Sequence, residues 1–94
     1  MKIQHRQSEA SGEFVVEQDG QVVAEMTYSR QGQTITIRHT EVSPSLGGQG
    51  VGRQLVAASV DWARREHVKV NPVCSFARAV FDKTPDYADV RAAL

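Results

Sequence analysis

The stretch Thr34–Glu66, read as TITIRHTEV, SPSLGGQG and VGRQLVAASVDWARRE, decides how the chain folds. Its first nine residues, Thr34–Val42, are rich in β-branched side chains, which suit an extended strand. A period of two predicts Ile35, Ile37, His39 and Glu41 on one face. Ser43–Gly52 is a loop with four glycines. From Val51 the period changes. Val51, Leu55, Ala58, Ser59 and Trp62 recur at helical spacing, which predicts an amphipathic helix to about Glu66. Strand, glycine loop and helix in direct succession can present backbone amides to an anion. Successive glycines let N–H groups turn the same way and let a ligand approach without Cβ clashes. The helix start adds unpaired donors and a partial positive charge. Gly48, Gln49, Gly50, Val51 and Gly52, with Arg53 adding a full charge, therefore form a candidate phosphate or pyrophosphate site. Taken alone, the same loop is equally a turn that ends a strand. It is not a Walker loop, because no Lys-Ser or Lys-Thr follows it. Nor is it a dinucleotide fingerprint, since its spacing is Gly-x-Gly-x-Gly and too little chain remains for a doubly wound sheet.

Upstream, the chain reads as strands. Lys2–Arg6 is a short candidate and Gly12–Gln18 carries Phe14, Val15 and Val16. Asp19-Gly20 supplies a tight hairpin turn, and Gln21–Arg30 returns with alternating apolar residues. Downstream, Val68–Val73 is a short β-branched run, expected to lie parallel to Thr34–Val42 through a helical crossover. Ser75–Lys83 reads as a second helix with Ser75 as its N-cap. Thr84-Pro85 restarts a last turn, and the tail places Tyr87, Val90 and Leu94 on one side. The predicted class is α+β: an antiparallel meander, one βαβ crossover and a C-terminal helix.

Composition narrows the function. At 94 residues the chain has room for one core, at ~100–200 residues per domain, so residues 1–94 are read as a single domain. It has 11 basic and 11 acidic residues and no net charge. Residues 1–47 hold four cations and six anions, and residues 48–94 hold seven and five. That balance argues against nucleic acid as a partner, since such affinity rests on surplus cations facing phosphates. No apolar run approaches the ~20 residues that span a bilayer, and the N-terminal residues hold no signal-peptide core. The single cysteine, Cys74, forms no intramolecular disulfide and no cysteine-rich metal site. A lone thiol suits a reducing interior. Cytoplasmic location, no metal, and a monomer or weak dimer are the resulting expectations.

With Val42-Ser43-Pro44, then Gly48-Gln49-Gly50-Val51-Gly52, then an amphipathic helix, the chain resembles the GNAT superfamily of N-acetyltransferases. In order, Ile37-Arg38-His39-Thr40-Glu41-Val42, Leu46–Gly52, Pro72-Val73-Cys74-Ser75-Phe76 and Pro85-Asp86-Tyr87 are similar to the very small, acetyl-CoA-binding members. The resemblance covers nearly the whole chain. It implies that the loop and helix start hold the pyrophosphate of acetyl-CoA. It also implies that the strand ending at Val42 splays from its parallel neighbour, and that the gap takes the pantetheine arm as an added strand would be taken. Gly47 stands where the family pattern has Arg or Gln. The two helices that larger members insert between their first strands are absent. Cys74 takes the position of a family Asn, and Phe81 that of the Tyr that serves as general acid. Phenylalanine has no proton to give.

Two residues are candidates for chemistry. Cys74 follows a strand and precedes a helix, so its sulfur is expected near a helix N-terminus, an environment that favours thiolates. An acyl-cysteine intermediate is one outcome, and a buried, inert thiol is the other. His39 is a candidate proton acceptor for an amine, the role imidazole side chains commonly fill; the alternative is a histidine packed at the sheet end, beside a solvated Glu41. His5 and His67 read as surface residues. Trp62, Phe76, Phe81 and Tyr87 read as core, and Arg64-Arg65 as a solvated helix end. The expected function is binding of acetyl-CoA and acetyl transfer to an unidentified amine. The alternatives are a non-catalytic module that carries or senses acyl-CoA, and an interaction domain whose glycine loop is only a turn.

Overall fold

The computed structural model describes residues 2–93. Five strands form one sheet in sequential order: β1 (Ile3–Gln7), β2 (Ser11–Gln18), β3 (Gln21–Gln31), β4 (Thr34–Val42) and β5 (Lys69–Pro72). The first three junctions are antiparallel, and β4 pairs with β5 in parallel. Helix α1 (Val51–Glu66) makes the crossover between those two, and α2 (Ser75–Asp82) follows β5. This is the α+β arrangement expected from the change of period at Val51.

Both helices pack into a single core. Phe14, Val16, Ala24, Met26, Tyr28, Ile35 and Ile37 of the sheet meet Leu55, Val56, Val60, Trp62 and Ala63 of α1 and Ala77, Val80 and Phe81 of α2. Removal of this apolar surface from water, at about 25 cal/mol per Å², holds α1 on the sheet and orders α2, which at 8 residues is too short to persist alone. The opposite sheet face carries Glu13, Glu25, Thr27, His39 and Glu41 in successive ladder positions. The tail extends the sheet after its last turn. Val70 donates to Val90 O at 2.7 Å and accepts from Ala92 N at 2.8 Å, beside the start of β5. Arg64, expected to be solvated, grips this tail through Asp89 at 2.8 and 2.9 Å. Val90 is buried and Tyr87 packs on Phe81; Leu94 lies outside the described residues.

A bulge in β4 overturns the predicted face pattern. Tyr28 pairs with Ile37 and Thr27 with His39, so Arg38 is an extra residue in the ladder. One extra residue reverses which face every later side chain takes. Ile35 and Ile37 face the helices and are fully buried, but His39 and Glu41 then fall on the open face. Thr40 and Val42 replace them on the helix side, opposite Met26 and Ala24.

His5 is a second correction. It pairs with Phe14 in β1–β2, which places it on the helix side of the sheet rather than at the surface. Its ring stacks on Phe14 at 4.0 Å, meets Trp62 edge-on at 4.8 Å, and Nε2 lies 2.6 Å from the Tyr28 hydroxyl. Burial, with a smaller contribution from the Arg65 charge, lowers its pKa below 6.5. Because the folded state binds its proton less readily than the unfolded state, stability is complete above pH 6.5 and falls as pH drops toward the folded pKa. Thermal melts at pH 7.5 and 5.0 should show a larger loss for wild type than for His5→Gln, which cannot titrate. Equal losses would show that the other histidines and the carboxylates dominate.

Candidate functional site

β4 and β5 part company at Ile37. Its carbonyl accepts from both Val73 and Cys74 N–H, at 3.1 and 3.0 Å, and no ladder pair follows. Beyond that point β4 keeps its partner β3 but presents a bare edge on the other side. The Arg38 bulge bends a strand at the same place, as bulges do. A cleft of about 670 Å³ opens there, well within the range of small-molecule sites. Thr40 and Val42 line one wall, the glycine loop and the α1 start form the floor, and Phe76, Ala79, Val80 and Lys83 of α2 and its C-cap form the other wall.

The floor is rich in free donors. Gly50 caps α1 with φ 68° and has no side chain to satisfy the helix amides. Gln54 N reaches Gly50 O at 3.1 Å, so the amides of Val51, Gly52 and Arg53 precede the first intrahelical bond. Gly48, at φ 80°, and Gly50 donate to no backbone acceptor among the described residues. Gln49 differs: its N–H goes to Leu46 O at 3.3 Å and its own carbonyl accepts from the Gln54 side chain at 3.2 Å. The Arg53 guanidinium folds back over the loop, 3.7 Å from where a Cβ on Gly50 would stand. Gly52 is needed for a different reason. A Cβ there would meet the Phe76 ring at 2.7 Å, so the first turns of α1 and α2 touch through this glycine.

Phe76 is therefore a cleft residue, 42% exposed, and not part of the core. The α2 N-cap is Cys74 and not Ser75. Its sulfur accepts from Ala77 N at 3.4 Å and lies 3.3 Å from Thr40 Oγ1. The sulfur takes the role that a Ser or Asp oxygen usually fills, because the chain leaves β5 one residue earlier than the spacing suggested. Cys74 stands behind Thr40 and does not itself line the cleft. His39 is outside it altogether, 59% exposed on the open sheet face and 3.8 Å from Glu41. The structure thus brings Val42, Gly48, Gly50, Val51, Gly52 and Arg53 together around one cleft and leaves His39 off it. Phe81, expected from the resemblance at the general-acid position, is buried at 3% exposure.

Sequence reasoning missed Thr40, Phe76, Val80 and Lys83. Thr40 was hidden by the bulge. The α2 residues carried a legible signal, since Phe76, Ala79, Val80 and Lys83 follow the i, i+3, i+4, i+7 spacing of one helix face. Among the described residues no group of three or more His, Cys, Asp or Glu is placed to hold a metal ion. No described helix is long and apolar enough to cross a membrane.

The family model for GCN5-related N-acetyltransferases matches residues 13–90, from the middle of β2 to the tail. The chain belongs to that family. A GCN5-like protein of Staphylococcus aureus, solved in solution, is 38% identical with a TM-score of 0.74, and the match covers 97% of this chain and 89% of that one. The ribosomal-protein-S18-alanine N-acetyltransferase of Escherichia coli shares the fold at 22% identity and a TM-score of 0.67, over 82% of this chain and 53% of that one. The aminoglycoside acetyltransferase AAC(6′)-Iy, solved with a CoA bisubstrate analogue, shares it at 18% identity and a TM-score of 0.60, over 81% of this chain and 61% of that one. This GCN5-related chain thus spans little more than half the length of those two larger enzymes. No curated protein matches it.

Proposed function

We propose that this small GCN5-related protein binds acetyl-CoA in the cleft between β4, α1 and α2 and transfers the acetyl group to an amine. The observation that carries this reading is the uncapped start of α1. Three amides without an acceptor lie beside Arg53, on the floor of a cleft whose lining includes no carboxylate. Acetyl-CoA is then the cosubstrate. The amides of Gly48, Gly50, Val51, Gly52 and Arg53 and the Arg53 side chain hold its diphosphate, with Gln49 shaping the loop between them. The bare edge of β4 at Val42 takes the pantetheine arm, and the thioester lies toward Thr40 and Cys74.

In direct transfer the amine nitrogen attacks the thioester carbonyl. The C–S bond breaks, CoA leaves as a thiolate and is protonated, and the amine gives up its proton to water. His39 serves that role only for an amine that enters from the open sheet face. In the two-step alternative, the Cys74 sulfur attacks first and releases CoA, and the amine then takes the acetyl group from the cysteine. The single thiol suits a reducing compartment, so the cytoplasm is the proposed location.

A second reading, a module that binds or senses acyl-CoA without turnover, draws on one observation. No His, Asp, Glu, Tyr or Cys lines the cleft. Calorimetry with CoA and acetyl-CoA tests both readings at once: absence of heat at millimolar ligand overturns them together. Turnover with a panel of amines then separates them. Cys74→Ser resolves the route. Serine is a favoured N-cap, so α2 should persist and CoA binding should be unchanged. If Cys74 is the nucleophile, intact mass spectrometry shows an acetyl adduct on wild type and none on the variant. A variant that transfers at the wild-type rate rules the cysteine route out.

A further inference from the structure

We propose that Lys83 forms a second anion subsite in the cleft, one that reads the ribose 3′-phosphate of the coenzyme, so that the protein selects CoA over 3′-dephospho-CoA. The proposal rests on the acetyl-CoA reading above and adds a specificity determinant to it.

The argument begins with charge. The chain is neutral overall, yet the cleft lining is not. Two charged side chains line it, Arg53 and Lys83, both cations, with no carboxylate among them. Neither is engaged in an ion pair among the described residues, whereas Arg6, Arg64 and Arg91 all are. The acid nearest Lys83 in sequence is already committed: Asp82 holds Arg91 at 2.8 Å. A cation kept free of partners in a cleft without anions gives a positive field that a ligand must complete.

Position then separates the two cations. Arg53 sits on the α1 start over Gly50, where the helix amides already define one phosphate site. Lys83 is the C-cap of α2, at the opposite end of that helix from Cys74. The cleft-facing stripe Phe76, Ala79, Val80, Lys83 runs between them. The 8 residues of α2 lie between its two caps, and at about 1.5 Å per residue the Cys74 and Lys83 ends are about 13 Å apart. A diphosphate held at α1 needs no cation so far along the wall. Coenzyme A carries a third phosphate, a monoester with a charge near −2 at neutral pH, on the ribose at the end remote from the thioester. The diphosphate floor meets the stripe at Phe76 through Gly52, and Lys83 stands at the stripe's other end, apart from that floor, where a further phosphate of the same coenzyme would be read.

A lysine at a helix C-terminus also complements the helix dipole, and that explanation makes a different prediction. A dipole partner affects stability and is indifferent to the ligand. Calorimetric titration of wild type, Lys83→Ala and Arg53→Ala with CoA and with 3′-dephospho-CoA distinguishes them. Wild type is expected to bind CoA at least fivefold tighter than dephospho-CoA, with the preference shrinking as salt is raised. Lys83→Ala should erase the preference by weakening CoA alone. Arg53→Ala should weaken both ligands alike. Equal wild-type affinity for the two ligands, or a preference that survives in Lys83→Ala, overturns the subsite while leaving the acetyl-CoA reading intact. Failure of wild type to bind either ligand overturns both.

Discussion

Gly50→Val is expected to lower affinity for CoA by ten- to a hundredfold while leaving the fold in place. Gly50 holds φ 68° as the N-cap of α1, a region where a β-branched residue is strained by about 1–3 kcal/mol. The variant relieves that strain by moving the loop to a negative φ. The amides of Gly48 and Gly50 then no longer turn toward the floor of the cleft. A ligand that needs the original geometry must restore it, and each 1.4 kcal/mol of that cost is about tenfold in affinity. The core is not involved, since a side chain built at Gly50 meets only the Arg53 guanidinium. Far-ultraviolet circular dichroism should therefore stay close to wild type, and the melting temperature should fall only by the strain the loop retains, about 4–8 °C for each kcal/mol, while calorimetry shows the loss. An unchanged dissociation constant would mean that the loop is a turn and that the anion site lies elsewhere.

Gly12→Ala is expected to produce the largest loss of stability from a single methyl group. Gly12 lies opposite Tyr28 in the β2–β3 ladder. A Cβ there would overlap the Tyr28 hydroxyl and its Cζ and stand 2.9 Å from the Arg6 carbonyl. None of these yields easily. Tyr28 is 3% exposed, its hydroxyl is bonded to His5, and its ring is packed among Phe14, His5 and Trp62. Overpacking of a filled core costs about 1–3 kcal/mol, and loss of the Tyr28–His5 hydrogen bond adds about 1 kcal/mol. For a domain of this size each kcal/mol lowers the melting temperature by about 4–8 °C, so a drop of about 10–25 °C is expected. CoA affinity measured well below the melt should be unchanged, because Tyr28 and Gly12 do not line the cleft. A melt within a few degrees of wild type would show that β1 can shift away and that the aromatic cluster is loosely held.

These two glycines show how differently the residues of this chain disclose their roles. Gly50 was legible because it stands between a strand period and a helix period, where local geometry alone demands a positive φ. Gly12 was not, because its reason is a tyrosine sixteen residues away in the chain. The same division runs through the site. Gly48, Gly50, Val51, Gly52 and Arg53 are contiguous and belong to the α1 start, so their grouping follows from the local sequence. His39 was misplaced because strand alternation assumes an unbroken ladder. The extra residue at Arg38 exists only through the pairing of β4 with β3. His5 was misread for a lesser reason, since its two-residue spacing from Ile3 already placed both on one face of β1.

The order of strands, the switch to helical period at Val51 and the anion-binding turn between them follow from backbone preferences and apolar spacing, which act over a few residues and are written in the chain directly. The width of the cleft, the contact of Phe76 with Gly52, the Thr40–Cys74 pair and the distance of Lys83 from Cys74 depend on how β5 and α2 dock against β4 and α1. That docking is set by the fit of side chains distant in sequence, and only the folded chain brings them together.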